Sequence, residues 1–328
     1  MNINEIAKMA GVSRATVSRY LNDGYVSEEK REKIRAVIEQ TGYRPSAQAQ
    51  RLRTKQTKLI GVVIPKINSD SIGEMVAGIG DVLNRNGFMM VLADTSNQPE
   101  EELRYLSLFR DNQVDGVILI GTVLTRKHKA LLKDYQVPVV ILGQRLAGYS
   151  CVYQDDFQAA RALTERMLAK AEKIGYIGVT QRDEAAGLAR KKGFEEALKR
   201  FGRDCPAECR RESAFQIDSA YEQAASLFTE NPDIDTVFCA TDTIAVGLMI
   251  WLRERGISVP GQVQLAGIGD SIMGRVVEPR LATVHFDYRK SGEEAAGILI
   301  GHLGTEDAIC REVKMGFRIV EGATVRSV

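Results

Sequence analysis

The sequence is short of the residues and motifs from which most enzymes are built. Its three histidines (His128, His285 and His302) lie in unrelated contexts. No GxSxG, HExxH or P-loop motif occurs, nor a GxGxxG placed between a strand and a helix. GIGDSIMG at 267–274 carries glycines at the wrong spacing. A catalytic role is therefore not expected. The five cysteines (Cys151, Cys205, Cys209, Cys239 and Cys310) form an odd, scattered set, which excludes a disulfide framework and suits reduced thiols in a cytosolic protein. Cys205 and Cys209 in CPAEC are half of a metal site that no second pair or nearby histidine completes, so neither a metal nor another cofactor is expected. MNINEIAKMAG has no apolar run of signal-peptide length, and no uninterrupted apolar stretch reaches the roughly 18 residues of a membrane span. A cytoplasmic protein without a membrane partner is the expectation.

Net charge is also nearly absent, at +1, but it is unevenly distributed. Residues 1–58 hold 12 Lys and Arg against 6 Asp and Glu, whereas the rest of the chain is mildly acidic. A basic head on an acidic body places any polyanion contact at the N-terminus. The head itself reads as a helix–turn–helix over 3–22. Ile6, Met9 and Ala10 share one helix face, Gly11 supplies the turn, Ser13 is placed to cap the next helix, and Val17 and Leu21 turn inward. Arg14, Ala15 and Arg19 then face outward, where a recognition helix meets base edges; arginine can grip guanine, and alanine can touch a thymine methyl. Ser13, Thr16, Ser18, Asn22 and Tyr25 suit backbone phosphates or caps. A third helix follows at 27–43, then a short helix-prone hinge near 45–54.

From residue 59 onward, short runs rich in Val, Ile and Leu alternate with amphipathic helices. The strands are placed at 59–65, 88–94, 115–121, 137–143, 173–179, 236–240 and 263–269, with two more near 282–288 and 315–322. Helices are placed at 73–87, 99–113, 157–170, 189–202, 219–231 and 243–256. Such a pattern predicts parallel sheets covered on both faces, and two similar series in tandem predict two lobes. Ligands of open α/β sheets sit beyond the C-terminal ends of strands, which directs attention to the loops after 65, 121, 143, 179, 240 and 269. Ser69 and Ser71 in the first of these loops can offer hydroxyls. Thr241 is favoured to face a ligand, with Asp242 as a helix N-cap.

IAKMAGVSRATVSRYLN at 6–22, VSEEKREKI at 26–34, GYRPSAQAQRLR at 42–53 and KLIGVVIP at 58–65 resemble the lactose/galactose-repressor (LacI/GalR) family of bacterial transcription regulators. The likeness continues in NQVDGVIL at 112–119, FCATDTIAVG at 238–247 and RLATVHF at 280–286. It implies a DNA-binding head at 1–57, and at 58–328 an effector-binding and dimerisation body of periplasmic-binding-protein type, made of two doubly wound parallel-sheet lobes. The implied lobes run over about 59–155 with 286–313, and about 156–285 with 314–328. The resemblance also implies a hinge helix that pairs with its dimer mate through Ala49 and wedges Leu52 into the minor groove.

For the cleft, the resemblance points to Arg190 as the holder of ligand hydroxyls or carboxylates, and to Asp270, Phe215, Phe286 and Tyr288 as cleft positions. The chain departs from the family's pattern at Gly143, which is followed by Gln144 and Arg145 as further effector-binding candidates, and at Gly269, where acidic residues are frequent. A differently shaped cleft is expected there. The implied protein is a homodimeric repressor of a carbohydrate-utilisation operon. It would bind a pseudo-palindromic double-stranded operator and be controlled by a sugar or sugar phosphate. Two alternatives stay open: a catabolite-control regulator whose co-effector is a phosphorylated carrier protein, and a cytosolic sugar-binding protein or enzyme with a fused head. No heptads follow the last strand before Val328, so a dimer is expected rather than a tetramer.

Overall fold

The computed structural model describes residues 1–43, 56–111, 114–305 and 309–326. They fall into two compact units, Met1–Thr57 and Lys58–Val328.

The first unit packs three helices, α1 (Ile3–Met9), α2 (Arg14–Tyr20) and α3 (Glu28–Thr41), around a small core. Asn2 opens α1 with a capping box: its side chain accepts from Glu5 N while Glu5 Oε2 accepts from Asn2 N. Gly11 turns the chain at φ +64°, and Ser13 Oγ accepts from Thr16 N at 3.2 Å to start α2. The buried stripe of α1 is Ile6, Ala7 and Ala10, with Ile3 packed beside it, which is i, i+3, i+4, i+7 spacing. Met9 lies off that stripe and is 51% exposed, so its place on the inward face, expected from the sequence, is corrected. Val17, Val26 and Ile34 complete the core.

The second unit holds two parallel sheets. The larger is ordered β11-β5-β4-β3-β1-β2, formed by β1 (Leu59–Ile64), β2 (Met89–Asp94), β3 (Gly116–Ile120), β4 (Val139–Leu142), β5 (Ser150–Gln154) and β11 (Glu312–Met315). The smaller is ordered β7-β6-β8-β9, formed by β6 (Ile174–Gly178), β7 (Arg210–Glu212), β8 (Thr236–Cys239) and β9 (Gln264–Ala266). Strands β10 (Thr283–Phe286) and β12 (Phe317–Val320) pair antiparallel, and backbone bonds from Gly267 and Gly269 to Ala282 and Val284 tie β10 to the smaller sheet's side. The chain leaves the larger sheet after Gln154, returns to it through the helix Tyr288–His302, and leaves again between Met315 and Phe317.

The helix Tyr288–His302 is absent from the sequence reading. Its buried face is mostly small residues (Ser291, Gly292, Ala295 and Ala296, with Ile298 and Leu299), and it seats itself by close backbone approach rather than by a broad apolar stripe. A Cβ on Gly292 would lie 2.1 Å from Met75 O, and one on Gly78 would lie 2.0 Å from Arg289 O, so the two glycines let this helix pack directly on Asp70–Arg85. The helix Arg126–Lys133 and strands β5, β7 and β11 are likewise too short or too polar to stand out in sequence. No helix among the described residues is long and apolar enough to cross a membrane.

Candidate functional site

On the head, α2 presents Arg14, Ala15 and Arg19 to solvent while Val17 is fully buried. The buried valine fixes which way the helix faces, so the three residues share the outward surface. Ser13 is taken up as the helix cap and also bonds Thr16 Oγ1 at 2.9 Å, while Ser18 accepts from Asn22 Nδ2 at 3.5 Å. Tyr25 is 89% exposed just beyond this surface. Ala49 and Leu52 lie outside the described residues.

In the body, a cleft of about 1240 Å³ opens beyond the C-terminal ends of both parallel sheets. Of the residues expected there, Ser69, Ser71, Arg190, Phe215, Thr241 and Tyr288 line it. Four others do not. Gln144 is buried and donates to Gly121 O at 2.6 Å, which props the 121–123 loop from behind. Arg145 points to the surface and pairs with Glu312 at 2.8 Å. Phe286 is fully buried in the core and meets Tyr288 and Phe317 edge-on. Asp270, at φ +48°, turns away to receive both Arg275 Nε and Nη2, at 3.0 and 2.9 Å, and His285 Nδ1 at 2.8 Å. The glycines at 143 and 269 sit at φ +94° and +149°, where side chains are strained, and both line the cleft.

Arg190 is buried in the cleft wall and held from two sides. A turn of π-helix, Glu184–Ala189, precedes the helix Arg190–Arg200, with Leu188 N donating to Asp183 O and Arg190 N to Ala185 O. The extra residue in such a turn rotates the helix beyond it, and π-turns are found disproportionately at functional sites. Gly187 makes this turn possible, because a Cβ there would lie 2.0 Å from Thr180 O. The guanidinium is then clamped: Nε donates to Asp156 Oδ1 at 2.7 Å and Nη1 to Ala240 O at 2.6 Å. Burial works against its charge, yet Asp156, Tyr288 and Asp183 hold it above its ordinary pKa. Burial pushes the Tyr288 phenol up to about 12, with Arg190 pulling the other way. Asp183 caps the π-turn by accepting from Ala185 N and Ala186 N, each at 2.9 Å, and burial raises its carboxyl to about 6.

Thr241, rather than Asp242, is the N-cap of the helix Asp242–Glu254, accepting from Ile244 N at 3.3 Å. Asp242 instead accepts from Ser271 N at 2.7 Å and Thr283 Oγ1 at 2.5 Å, which fixes the loop after β9. Its buried carboxyl is raised in pKa chiefly by desolvation. The sequence reading also passed over Asp156, Asp183, Gln154 and Lys66. Gln154 ends β5, a strand too short to stand out in sequence, Asp156 follows it to begin the next helix, and Asp183 caps a turn without regular helical periodicity. Lys66 Nζ reaches across the cleft to Phe215 O at 3.3 Å and lies 5.1 Å from the centre of its ring. Among the described residues, no group of three or more His, Cys, Asp or Glu side chains is arranged to hold a metal ion.

Comparison with known proteins accounts for both units. Residues 2–46 match the model of bacterial regulatory proteins of the lacI family, and residues 165–325 match the periplasmic binding protein-like domain. The sucrose operon repressor of Staphylococcus xylosus is 30% identical over 320 residues, which is 96% of this chain and 99% of the relative. Among solved structures, a LacI-family regulator from Silicibacter pomeroyi covers 100% of both chains at 27% identity and a TM-score of 0.83. A complex of the transcriptional regulator CelR with cellobiose covers 99% of both at 27% identity and a TM-score of 0.76. A helix–turn–helix head followed by a two-sheet body with a cleft at the strand ends, matched over nearly its full length by such relatives, places this chain in the LacI family of DNA-binding transcriptional regulators.

Proposed function

We propose that this chain is a cytoplasmic, homodimeric repressor of carbohydrate-utilisation genes. It reads a pseudo-palindromic operator with the α2 surface and releases or holds it according to a saccharide bound in the body's cleft. The observation that carries this reading is Arg190. A buried guanidinium fixed by Asp156 and the Ala240 carbonyl keeps its remaining N–H groups in one geometry beside Tyr288 and Asp183, a preorganised hydrogen-bonding site for a small polar molecule. A sucrose operon repressor and a cellobiose-bound regulator among the relatives support a sugar.

Arg14 and Ala15 are the base-reading side chains, with Arg19 beside them. Ser13, Thr16, Ser18, Asn22 and Tyr25 position the head on phosphates. Two copies are needed because one half-site gives too few contacts. Exposed Met89, Val91 and Leu92 on the edge strand β2, and Ile272 and Val276 on the smaller lobe, are apolar surface that a second copy would cover. The relatives are transcriptional regulators, which supports reading this chain as a regulator rather than an enzyme.

The reading is tested by fluorescence anisotropy of the full-length protein on its operator, titrated with saccharides and, separately, with a phosphorylated carrier protein. A saccharide that changes operator affinity supports the proposal. Regulation by the carrier alone, or turnover of a saccharide, would refute it.

A further inference from the structure

The reading of the cleft as an effector site leaves the charge of the effector open, and the structure bears on it directly. Seven carboxylates and only two cations, Lys66 and Arg190, line the cleft. Both cations are already engaged, Arg190 with Asp156 and Ala240 O, and Lys66 with Phe215. Burial lowers the Lys66 pKa, which disfavours its charged ammonium form and weakens it as a counter-ion for an anionic ligand.

The helix starts act in the same direction. Anions such as phosphate are ordinarily received at helix N-termini, where unpaired amides and the helix dipole favour negative charge. Five of the helix or π-turn starts that line this cleft carry their own carboxylate at that end; the short helix Ile272–Val276 has none of its own, but its Ile272 N already donates to Asp70 Oδ2 at 3.0 Å. Asp70 begins Asp70–Arg85, Asp156 begins Asp156–Leu168, and Asp183 caps the π-turn. Asp218 lies in the first turn of Ile217–Glu230, and Asp242 begins Asp242–Glu254. The positive ends that a phosphate would use are countered in advance.

Beside the remaining N–H groups of Arg190, the cleft also offers a neutral donor. Gln154 is buried, lines the cleft, and its side-chain nitrogen has no partner among the described residues. A buried donor of this kind is costly unless a ligand completes it.

We infer that the effector is an uncharged polyhydroxyl compound, a free saccharide rather than a sugar phosphate or aldonate, and that Gln154 donates a hydrogen bond to one of its oxygens. Hydroxyls can donate to the surplus carboxylates, whereas a phosphate or carboxylate would lie against them. The like-charge penalty corresponds to a loss of about 100-fold or more in affinity.

The test uses calorimetric titration of the full-length protein with matched probes: sucrose, trehalose, cellobiose and glucose against sucrose 6-phosphate, trehalose 6-phosphate, glucose 6-phosphate and gluconate. Binding of a neutral probe, with its charged counterpart at least about 100-fold weaker and Gln154→Leu weakening the neutral probe about tenfold, supports the inference. A charged probe that binds as tightly as its neutral parent overturns it while leaving the effector cleft intact. Failure of every saccharide, with control by a phosphorylated carrier protein instead, overturns the cleft reading itself.

Inorganic phosphate gives an independent measurement that needs no cognate ligand. At constant ionic strength it is expected to leave the melting temperature of the wild type unchanged. It is expected to raise that of an Asp183→Asn, Asp218→Asn variant, in which two helix starts are freed. Stabilisation of the wild type by phosphate, abolished by Lys66→Gln, would refute the inference.

Discussion

Replacing Arg190 with alanine separates what this residue does for the fold from what it does for the ligand. The substitution removes the partner of a buried carboxylate at 2.7 Å and of the Ala240 carbonyl at 2.6 Å. Breaking a buried ion pair from one side typically costs about 3–5 kcal/mol, because the remaining charge stays buried without compensation. For a body of this size, each kcal/mol moves the melting temperature by roughly 2–4 °C, so a fall of about 6–20 °C is expected. A double variant, Asp156→Leu with Arg190→Met, leaves no orphaned charge and keeps similar volume. It is expected to regain most of that loss, since apolar replacement of a whole buried pair is often neutral.

The double variant should still bind operator but no longer respond to the effector. Scanning calorimetry reads the first effect, and operator anisotropy with effector titration reads the second. A single variant that melts within about 2 °C of the wild type, or a double variant with normal effector response, would refute the reasoning.

The Asp183 carboxyl, raised by burial to about 6, makes folding less favourable as pH rises from the ordinary aspartate value through 6, because the unfolded chain ionises first. Asp183→Asn should therefore melt higher than the wild type at pH 7.5 and lose this advantage near pH 4, as followed by thermal unfolding across that range. Gly187→Ala should displace the π-turn and weaken effector binding with little change in operator affinity, because the new Cβ would lie 2.0 Å from a backbone oxygen; unchanged effector titration would contradict this. Arg14→Ala should cost roughly 1–3 kcal/mol on the cognate operator and much less on random DNA, and equal losses would make it a phosphate contact. A 58–328 fragment should bind effector but not operator, and full-length operator binding should weaken steeply with salt, both measured by anisotropy.

Local signals were enough to read the head. Gly11, Ser13 and the apolar spacing of α1 and α2 act within a few residues of each other, so turn, cap and outward face could be assigned before any packing was known. The same holds for the strong strands such as Leu59–Ile64, whose unbroken run of apolar residues allows little but a buried parallel strand. Met9 shows the limit even there, because one helix position decides between core and solvent, and which stripe is buried depended on Val26 and Ile34 far along the chain.

The cleft depended on tertiary structure almost throughout. Asp156 and Gln154 reach it because β5 joins a sheet whose other strands come from distant segments, and Asp183 because a π-turn fits only where Gly187 meets Thr180. Gln144 and Asp270 turned away because closer partners, Gly121 O and the pair Arg275 and His285, satisfied them first. Periodicity along a chain records which residues are buried. The direction in which a buried polar group points is set by the partners that other segments bring to it, and that only the folded body decided.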